Sequence, residues 1–392
     1  MVPDSPLDDY ELLSALDAIV DRILLTLDEM DGAFPFVADP ETGAWDTTTD
    51  GNWCGGHWIG LLWIASDVRP FEADRIERAA RTYTDQIVQS PNLRESMFGG
   101  MNYHYAGFRA YDITGDRSQF GIGLTGADSM VSLYDKIARQ IPVGEYTIEG
   151  PQEQFEFSEG VGERVSGTRI SAVDMIYTSV PVLWRAYHET SDPRFRDIAV
   201  SHCDRHLDWY LREDGSTWQE AQFDPQTGRL ERQYNDLAYD DDTCWARGQG
   251  WNIAGLARAY SETGAQRYLD TLVRSVEYYV DHSPDDLVPY WDFEVPTIPD
   301  APRDTSAAAL AAYGLVRLEG DSETIEELQR TGEGILASII DSYLVQDASD
   351  PRHGMILEGC YDKPGEYAVD YDLIWTDYYV AYLLWSLLGE SS

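Results

Sequence analysis

The sequence predicts an all-α fold in which six helical hairpins form a toroid. Apolar residues recur at intervals of three and four, the spacing of an amphipathic helix, over roughly twelve stretches. Alternating apolar and polar residues, which would indicate strands, are scarce. Six hairpins suit a closed ring better than an open stack. The helical spacing is clearest in ELLSALDAIVDRILLTLDEM, WIGLLWIAS, DMIYTSVPVLWRAYHET, WNIAGLARAY and AAALAAYGLVRL.

Similar short turns divide these stretches into hairpins. YDITGD, YHETSD, YSETGA and RLEGD end at Asp116, Asp192, Ala265 and Asp321, and another amphipathic run follows each of them. WIASDVRPFE, near Asp67, is a looser example. Each turn is therefore expected to join the two helices of one hairpin.

Three longer segments rich in glycine, proline and aromatic residues separate the hairpins, over residues 144–168, 214–236 and 283–303. Long loops in a compact fold usually carry function, so we expect these segments to meet at one mouth of the toroid. No linker or low-complexity stretch divides the chain. We therefore expect a single domain over residues 1–392, although the length also allows two.

The charge excludes one class of partner. Acidic residues outnumber basic ones by 70 to 28, which gives a net charge of -42 and repels nucleic acid and anionic lipid. Only two of the basic residues are lysines, Lys136 and Lys363. Arginine with abundant carboxylates suggests a cytosol of high salt, where a Debye length of about 3 Å at 1 M screens the self-repulsion. We expect no nucleic-acid partner.

The cysteines and the first residues predict a cytoplasmic protein. Four cysteines lie far apart without paired spacing, which favours buried free thiols, and they are Cys54, Cys203, Cys244 and Cys360. The start, MVPDSPLDDYELL, lacks a basic and then apolar leader, and no stretch is long and apolar enough to span a membrane. We expect no membrane partner, and no surface for subunit association is identifiable.

The stretch DDDTCWARGQGW, residues 240–251, combines acids, an arginine, tryptophans and glycines. Asp242 or Thr243 is expected to cap a helix that begins near Cys244. Arg247 and Trp251 are four residues apart and share a face of that helix. A guanidinium beside an indole suits a sugar acid, because one grips a carboxylate and the other covers the ring. The alternative is an arginine paired with the neighbouring acids above a core tryptophan.

A second group of aromatic residues lies in DGNWCGGHWIGLLWIAS, residues 50–66. Trp53, Trp58 and Trp63 surround two glycines, and the last two tryptophans diverge around the predicted helix because they are five apart. One tryptophan could thus face a cleft while another packs in the core. The alternative is that all three belong to the core.

Asp174 is a lone carboxyl among apolar residues in RISAVDMIYTSVPVLWRAY, which amphipathic patterning does not explain. Apolar surroundings raise the pKa of a carboxyl group and make it a proton donor at neutral pH. The alternative is a cap at the start of a helix. The histidines show no spacing typical of a metal site, and glycine-rich phosphate loops are missing, so we expect neither a metal nor a cofactor.

Together these stretches resemble the unsaturated glucuronyl hydrolases, glycoside hydrolase family 88, with some likeness to the unsaturated rhamnogalacturonyl hydrolases, family 105. The resemblance covers nearly the whole chain. It is carried by DGNWCGGHWIGLLW, HYAGF, VDMIYTSVPVLW, DGSTWQEAQFDPQTG, DDTCWARGQGW, PYWDFEVPTIPDAPRDTSAAALAAYGL and LIWTDYY.

The resemblance implies an α6/α6 barrel without a metal, acting on the unsaturated uronic acid that polysaccharide lyases leave at the non-reducing end of an oligosaccharide. In such enzymes an aspartic acid protonates C4 of the C4=C5 double bond, water adds at C5, and the product opens and releases the next sugar. One acid that doubles as base performs this reaction, unlike the paired carboxylates of ordinary glycosidases.

When the family's functional residues are matched to this sequence motif by motif, Asp174 matches the acid/base. Trp58, Arg247 and Trp251 match residues that contact the substrate. The chain departs from the family pattern at three positions. Tyr105 stands where HYAGF would carry an aspartate, Gln219 in STWQ replaces a histidine, and Leu237 replaces a glutamine. A phenol at position 105 is expected to stay neutral near pH 7 while still bonding a sugar hydroxyl.

Other functions remain open on the sequence alone. One is a non-catalytic protein that binds sugar acids, although a desolvated Asp174 would bring such a protein no advantage. An epimerase on the same fold would want paired histidines, and an inverting glycosidase would want two separated carboxylates. The sequence indicates neither the paired histidines nor the two separated carboxylates.

Overall fold

The computed structural model describes residues 7–145 and 167–390, which are mostly helical. A π-helical segment, His104–Phe108, separates α5 from α6. The helices are α1 (Asp9–Glu29), α2 (Gly55–Val68), α3 (Ala73–Gln89), α4 (Pro91–Arg94), α5 (Phe98–Tyr103), α6 (Arg109–Thr114), α7 (Arg117–Leu133), α8 (Met175–Thr178), α9 (Pro181–Thr190), α10 (Pro193–Trp209), α11 (Ala246–Thr263), α12 (Gln266–His282), α13 (Thr305–Val316), α14 (Glu323–Ser342) and α15 (Ile374–Glu390).

The prediction of an all-α fold needs one correction, because the described residues also form two small antiparallel sheets. One sheet has the strand order β2-β1-β7-β6 and the other has the order β3-β4-β5. Strands this short hold too few alternating residues to stand out in a sequence. The strands are β1 (Phe34–Ala38), β2 (Trp45–Thr48), β3 (Ile170–Ala172), β4 (Glu220–Phe223), β5 (Leu230–Tyr234), β6 (Gly359–Asp362) and β7 (Tyr367–Leu373).

The predicted hairpin turns are confirmed. Asp116 and Asp192 are the N-caps of α7 and α10, and each side chain accepts a bond from a backbone N–H of the first turn. Ala265 is the N-cap of α12, and Asp321 immediately precedes Ser322, the N-cap of α14. The looser turn near Asp67 joins α2 to α3.

One helix of each hairpin is far more buried than the other. Every residue of α13 from Thr305 to Leu315 is buried, and so is every residue of α2 from Gly55 to Ser66, because neither stretch carries a charge. By contrast α3 and α12 bury only one face. The buried helices contact one another in sequence: α2 contacts α5, α5 contacts α8 and α9, α8 contacts α11, α11 contacts α13, α13 contacts α15, and α15 contacts α2.

The segments that precede the buried helices meet at the N-terminal ends of those helices, as predicted for the long loops. The backbone N–H of Val173 donates to Gln219 (2.7 Å), that of Ala246 to Trp291 (3.0 Å), and that of Thr305 to Glu358 (3.1 Å). These bonds link the predicted segments 214–236 and 283–303 to the starts of α8 and α11. The third predicted segment, 144–168, falls mostly outside the described residues.

Glycine allows α11 and α13 to pack closely. A Cβ atom built on Gly250 would lie 2.8 Å from the carbonyl oxygen of Ala307, and one built on Gly314 would lie 2.5 Å from the Cα atom of Ala254. A glycine at position 250 therefore allows the close approach of a neighbouring helix.

Two further observations concern the cysteines and possible membrane spans. The four cysteines are buried and unpaired, as predicted. Over residues 7–145 and 167–390, no helix combines the length and apolar character that a membrane span requires.

Candidate active site

Asp174 lies at the start of α8, next to strand β3, with its side chain partly exposed. It is the N-cap residue by position, yet its side chain forms no capping bond, so the alternative of a structural cap is not supported. Its Oδ1 atom is buried and has no hydrogen-bond partner among the residues that the structure describes. Burial raises the pKa of this carboxyl to about 7, against the opposing effect of the Arg247 cation. Asp174 is therefore a carboxyl group poised to hold a proton near neutral pH.

Arg247 is 2% exposed and held in place by three acceptors. Its Nη1 donates to the carbonyl oxygen of Cys360 (2.7 Å) and lies 3.5 Å from Oδ2 of Asp304, while Nη2 donates to the carbonyl oxygen of Tyr361 (2.7 Å). The guanidinium also lies 4.5 Å from the ring of Trp245. These bonds fix the orientation of the cation and leave part of its donor fork for a further acceptor.

The acids ahead of Arg247 neither pair with it nor cap its helix. Helix α11 begins at Ala246, later than expected, and its N-cap Trp245 makes no side-chain capping bond. Asp241 instead accepts from the backbone N–H of Asn235 (3.0 Å), and Thr243 donates to Oδ2 of Asp292 (2.6 Å). The expected cap at Asp242 or Thr243 is wrong, because α11 begins later in the chain and the Thr243 side chain binds Asp292 instead.

Trp251 lies in a layer of aromatic rings below Asp174. Its indole stacks on Tyr177, a residue of α8, with ring centroids 6.0 Å apart, and meets Tyr379 edge-on at 5.9 Å. The indole is 2% exposed. The structure thus brings Trp251 against the short helix that Asp174 begins.

Tyr105 belongs to the π-helical segment, and its hydroxyl joins a hydrogen-bond chain. The Tyr105 and Tyr379 hydroxyls are 2.9 Å apart, and the Tyr379 hydroxyl is 3.3 Å from Nε2 of His57. The other ring nitrogen of His57 faces the carbonyl oxygen of Cys54 (3.1 Å), which can only accept. Burial lowers the pKa of His57 to about 3, so the ring is neutral with its proton on Nδ1.

The direction of this chain follows from that tautomer. Nε2 of His57 must accept, so Tyr379 donates to it and Tyr105 in turn donates to Tyr379. The oxygen of Tyr105 is left as an acceptor for any further partner. Burial also raises the pKa of Tyr105 well above its usual range, in keeping with the predicted neutral phenol.

Of the tryptophans in residues 50–66, Trp53 lies nearest to Arg247, through Tyr361. Its indole stacks on Tyr361 at 6.0 Å, and its Nε1 donates to the Tyr361 hydroxyl (3.1 Å). Tyr361 in turn lies 5.3 Å from the Arg247 guanidinium. Trp58, the predicted substrate contact, is 1% exposed and packs edge-on against Tyr83 of α3 at 6.0 Å. The structure does not bring Trp58 to Arg247.

Gln219 supports Asp174 through the backbone. Its carbonyl accepts from Val173, and its own N–H donates to Oδ1 of Asn235 (2.6 Å). Its side-chain Oε1 accepts from the N–H of Leu237 (2.8 Å), the residue expected to replace a family glutamine. Gln219 is thus a link between two strands and the loop ahead of α11.

The sequence did not single out Glu220 and Tyr210, yet both lie near Asp174. Glu220 pairs with Ala172 in the β3–β4 ladder, is 3% exposed, and has an unpartnered Oε2 atom. Burial, and then the Asp236 and Asp174 carboxyls, raise the pKa of Glu220 well above its usual range. Burial also raises the pKa of Tyr210, with a contribution from Asp174. Only the adjacency of Glu220 to STWQ could have pointed to it.

Metal chemistry finds no support in the residues that the structure describes. Among them, no group of three or more His, Cys, Asp or Glu side chains is arranged to hold an ion. The site combines two carboxyls of raised pKa, Asp174 and Glu220, with a fixed guanidinium and a layer of aromatic rings. Such a set can transfer a proton to a bound anionic ring compound.

Comparison with known proteins agrees with this chemistry. The unsaturated chondroitin disaccharide hydrolase of Streptococcus pneumoniae is 26% identical over 378 residues, which cover 94% of this chain and 90% of the relative. The unsaturated glucuronyl hydrolase of Bacillus sp. (strain GL1) is 29% identical over 357 residues, 88% of each chain. The crystal structure of the unsaturated glucuronyl hydrolase from Bacillus sp. GL1 matches with a TM-score of 0.82 at 25% identity and covers 96% of both chains.

The fold and the site define a glycosidase. The sequence model of Glycosyl Hydrolase Family 88 matches residues 153–385, more than half of the chain. The chain belongs to Glycosyl Hydrolase Family 88, which confirms the family resemblance noted in the sequence.

Proposed function

We propose that this protein releases the unsaturated uronic acid from the non-reducing end of lyase-generated oligosaccharides, with Asp174 as the general acid and base. The observation that carries the proposal is the buried, unpartnered Oδ1 atom of Asp174, in a carboxyl whose pKa burial raises to about 7. The names of the relatives support the substrate class, because they describe hydrolases of unsaturated glucuronyl compounds and of unsaturated chondroitin disaccharides.

The reaction is a hydration followed by ring opening. Protonated Asp174 gives its proton to C4 of the C4=C5 double bond, which leaves positive charge at C5. Water adds at C5 and returns a proton to the Asp174 carboxylate, so the enzyme is regenerated. The hemiketal formed at C5 opens, and the next sugar leaves. A single carboxyl suffices because donation and uptake of the proton occur in succession.

We assign binding of the substrate carboxylate to Arg247. The guanidinium is held by Cys360, Tyr361 and Asp304, and its remaining donors suit a carboxylate. Trp251, Tyr105 and Gln219 keep their predicted roles in substrate binding as part of the proposal. Trp58 is left out of it, because its indole is buried against Tyr83. For Tyr105 the role is that of an acceptor, since its own proton goes to Tyr379. Trp53, stacked beside Arg247 through Tyr361, is added to this set.

We also propose that the whole chain forms one α6/α6 barrel domain. The succession of contacts from α2 through α5, α8, α11, α13 and α15 back to α2 supports this architecture. We further propose a cytoplasmic protein of a salt-rich cell, which the net charge of -42 and the near absence of lysine support.

The test follows the ultraviolet absorbance of the conjugated double bond. Purified protein is mixed with lyase-generated disaccharides from chondroitin and heparin, with and without sulfate, in molar salt. We expect the absorbance to fall, and kcat/KM to decline as pH rises through about 7, because the acid form of Asp174 is then lost. Constant absorbance with every disaccharide would contradict the proposal, and binding without turnover would favour a non-catalytic sugar-acid binder.

The decisive variant is Asp174→Asn, which keeps the shape of the side chain and removes its proton chemistry. We expect kcat to fall by about 100-fold or more, the usual contribution of a positioned acid. Asp204→Asn is the matched control, because it neutralises a carboxyl of α10 that pairs with Arg267. That control is expected to retain full activity.

A further inference from the structure

A cavity of about 80 Å³ lies between the buried helices, and neither Asp174 nor Arg247 nor Trp251 is among its lining residues. Four of its lining residues are arginines from four different helical regions, and they are Arg109, Arg185, Arg258 and Arg317. Arg258 follows Arg247 by eleven residues on α11, a separation of about 16 Å along the helix. One carboxylate, Asp112, also lines the cavity, and the rest of the lining consists of His104, Tyr177, Pro181, Tyr313 and Tyr382. This arginine cavity is therefore distinct from the candidate active site.

The cations around the cavity are only partly neutralised. Asp112 accepts from Arg109 (3.2 Å) and from Arg185 (2.5 Å), so two guanidinium groups share one carboxylate. Glu189 accepts from Arg185 (2.9 Å), and Glu262 pairs with Arg258. Within the described part of the chain, Arg317 pairs with no carboxylate.

Arg317 instead makes contacts with aromatic side chains. It donates to the Tyr313 hydroxyl (2.6 Å) and lies 4.8 Å from the rings of Tyr313 and Tyr382. Four guanidinium groups thus face three carboxylates. A surplus of positive charge at one buried place is unusual in a chain with a net charge of -42.

Several buried polar atoms on the residues that line the cavity have no hydrogen-bond partner in the described part of the chain. Over residues 7–145 and 167–390, no partner binds the buried Nε atoms of Arg109, Arg185 and Arg258 or the buried Nδ1 atom of His104. The side chain of Arg109 is only 10% exposed. A buried donor without an acceptor costs about 1–3 kcal/mol, so a set of them in one cavity calls for an occupant rich in acceptor oxygens.

Helix dipoles do not account for all of these features. Arg317 is the C-cap of α13, where a cation is favoured, but Arg109 begins α6 and Arg185 lies in the middle of α9. The helix dipole favours positive charge near a helix C-terminus, but it supplies no acceptor for the individual N–H groups of these arginines.

We propose that this arginine cavity binds one small inorganic oxyanion, sulfate or phosphate. A tetrahedral oxyanion offers acceptors in several directions, which matches guanidinium groups converging from several helices. Its charge balances the surplus cation at Arg317. Burial and the surrounding arginine cations lower the pKa of His104 well below its usual range, so this ring adds no charge of its own.

Calorimetric titration of the whole protein with sodium sulfate, and separately with sodium phosphate, tests the proposal. Gluconate maintains the ionic strength, because it is too large for the cavity. We expect saturable binding to one site. Arg317→Gln is expected to weaken it by about tenfold or more, since a hydrogen bond to a charged group contributes about 1.5–3 kcal/mol.

Arg267→Gln is the matched control. Like Arg317, Arg267 lies over a neighbouring tyrosine ring (4.4 Å from Tyr268) and donates to its hydroxyl (3.1 Å), but it pairs with Asp204 away from the cavity. Binding by this control should equal that of the unmodified protein. Equal weakening in both variants, or none in either, would overturn the assignment.

A crystal soaked in selenate provides a measurement that does not depend on the folding of any variant. The expected result is an anomalous peak within hydrogen-bond distance of Arg109 and Arg317. A cavity that holds only water, or chloride binding as strong as that of sulfate, would overturn the proposal. Both experiments are done without substrate, so their outcome is independent of the glycosidase activity.

Discussion

At the scale of single residues, folding and catalysis make opposite demands on Asp174. The carboxyl sits where solvent barely reaches Oδ1, which favours its protonated form and disfavours the charged form. A group whose folded pKa lies above its unfolded value adds stability at low pH, and that contribution disappears as pH rises through the folded pKa. The proton that the reaction needs is thus retained at a cost in stability at alkaline pH.

The first prediction concerns the stability of Asp174→Asn. Asparagine does not titrate, so above pH 7 the variant should be more stable than the unmodified protein, by roughly 2–4 kcal/mol for a shift of this size in a partly exposed group. Near pH 4 the two proteins should unfold alike. Denaturant unfolding at both pH values measures the difference, and equal stability at pH 8 would show that Asp174 is ordinarily solvated.

The second prediction concerns Arg247. Lysine cannot reach the carbonyl oxygens of Cys360 and Tyr361 and the Asp304 carboxylate together, so Arg247→Lys should lose about 2–4 kcal/mol of stability. It should also raise KM. Arg212→Lys is the control, since Arg212 donates to two backbone carbonyls and covers Trp218, but is partly exposed. Similar losses in the two variants would argue against a special role for Arg247.

The sequence predicts some residues of the candidate site and not others. Asp174 stood out because a carboxyl within an apolar run has no place in an amphipathic pattern. Glu220 did not stand out, because a glutamate in a short polar strand looks like a solvated face until the ladder with β3 buries it. Trp53 and Trp58 could not be told apart, since which indole meets Tyr361 depends on a strand far away in the chain.

At the scale of elements, the hairpin turns were predictable and the sheets were not. A turn is encoded locally by capping residues such as Asp116 and Asp192, whereas β1 and β7 pair across more than three hundred residues. The start of α11 was misplaced for a related reason. Thr243 looked like a cap, but it bonds to Asp292 in a loop that only the tertiary structure brings near.

The third prediction tests the crossing of α11 and α13. Gly314→Ala would place a Cβ atom 2.5 Å from the Cα atom of Ala254, so the helices must separate, and we expect a loss of about 1–3 kcal/mol. Gly121→Ala, in α7, meets nothing within 4 Å and should instead gain about 0.4–1 kcal/mol. Thermal unfolding of both variants gives the comparison. A gain in both would mean that α11 and α13 are less tightly packed.

At the scale of the whole molecule, the surface charge governs stability. The net charge of -42 disfavours the compact state by self-repulsion, and salt screens that repulsion. Arginines at the surface pair with acids in several places, for example Arg69 with Asp17 and Asp21, yet acids remain in large excess.

The fourth prediction follows from this excess. The melting temperature should rise between 0.1 M and 2 M potassium chloride, and it should fall steeply below 0.1 M, because the Debye length lengthens to about 30 Å at 0.01 M. Sucrose at matched osmolality is the control, since it stabilises without screening charge. Chloride is used because sulfate would also occupy the arginine cavity. Equal melting temperatures in low and high chloride would contradict a salt-adapted surface.

The last helix, α15, supplies Tyr379, the hydroxyl between Tyr105 and His57. It also packs against α2, which was made more than three hundred residues earlier. Until α15 has been translated, the face of α2 that packs against it therefore stays uncovered. The nascent protein must carry this exposed apolar surface while more than three hundred further residues are made, which gives chaperones a long window in which to bind it.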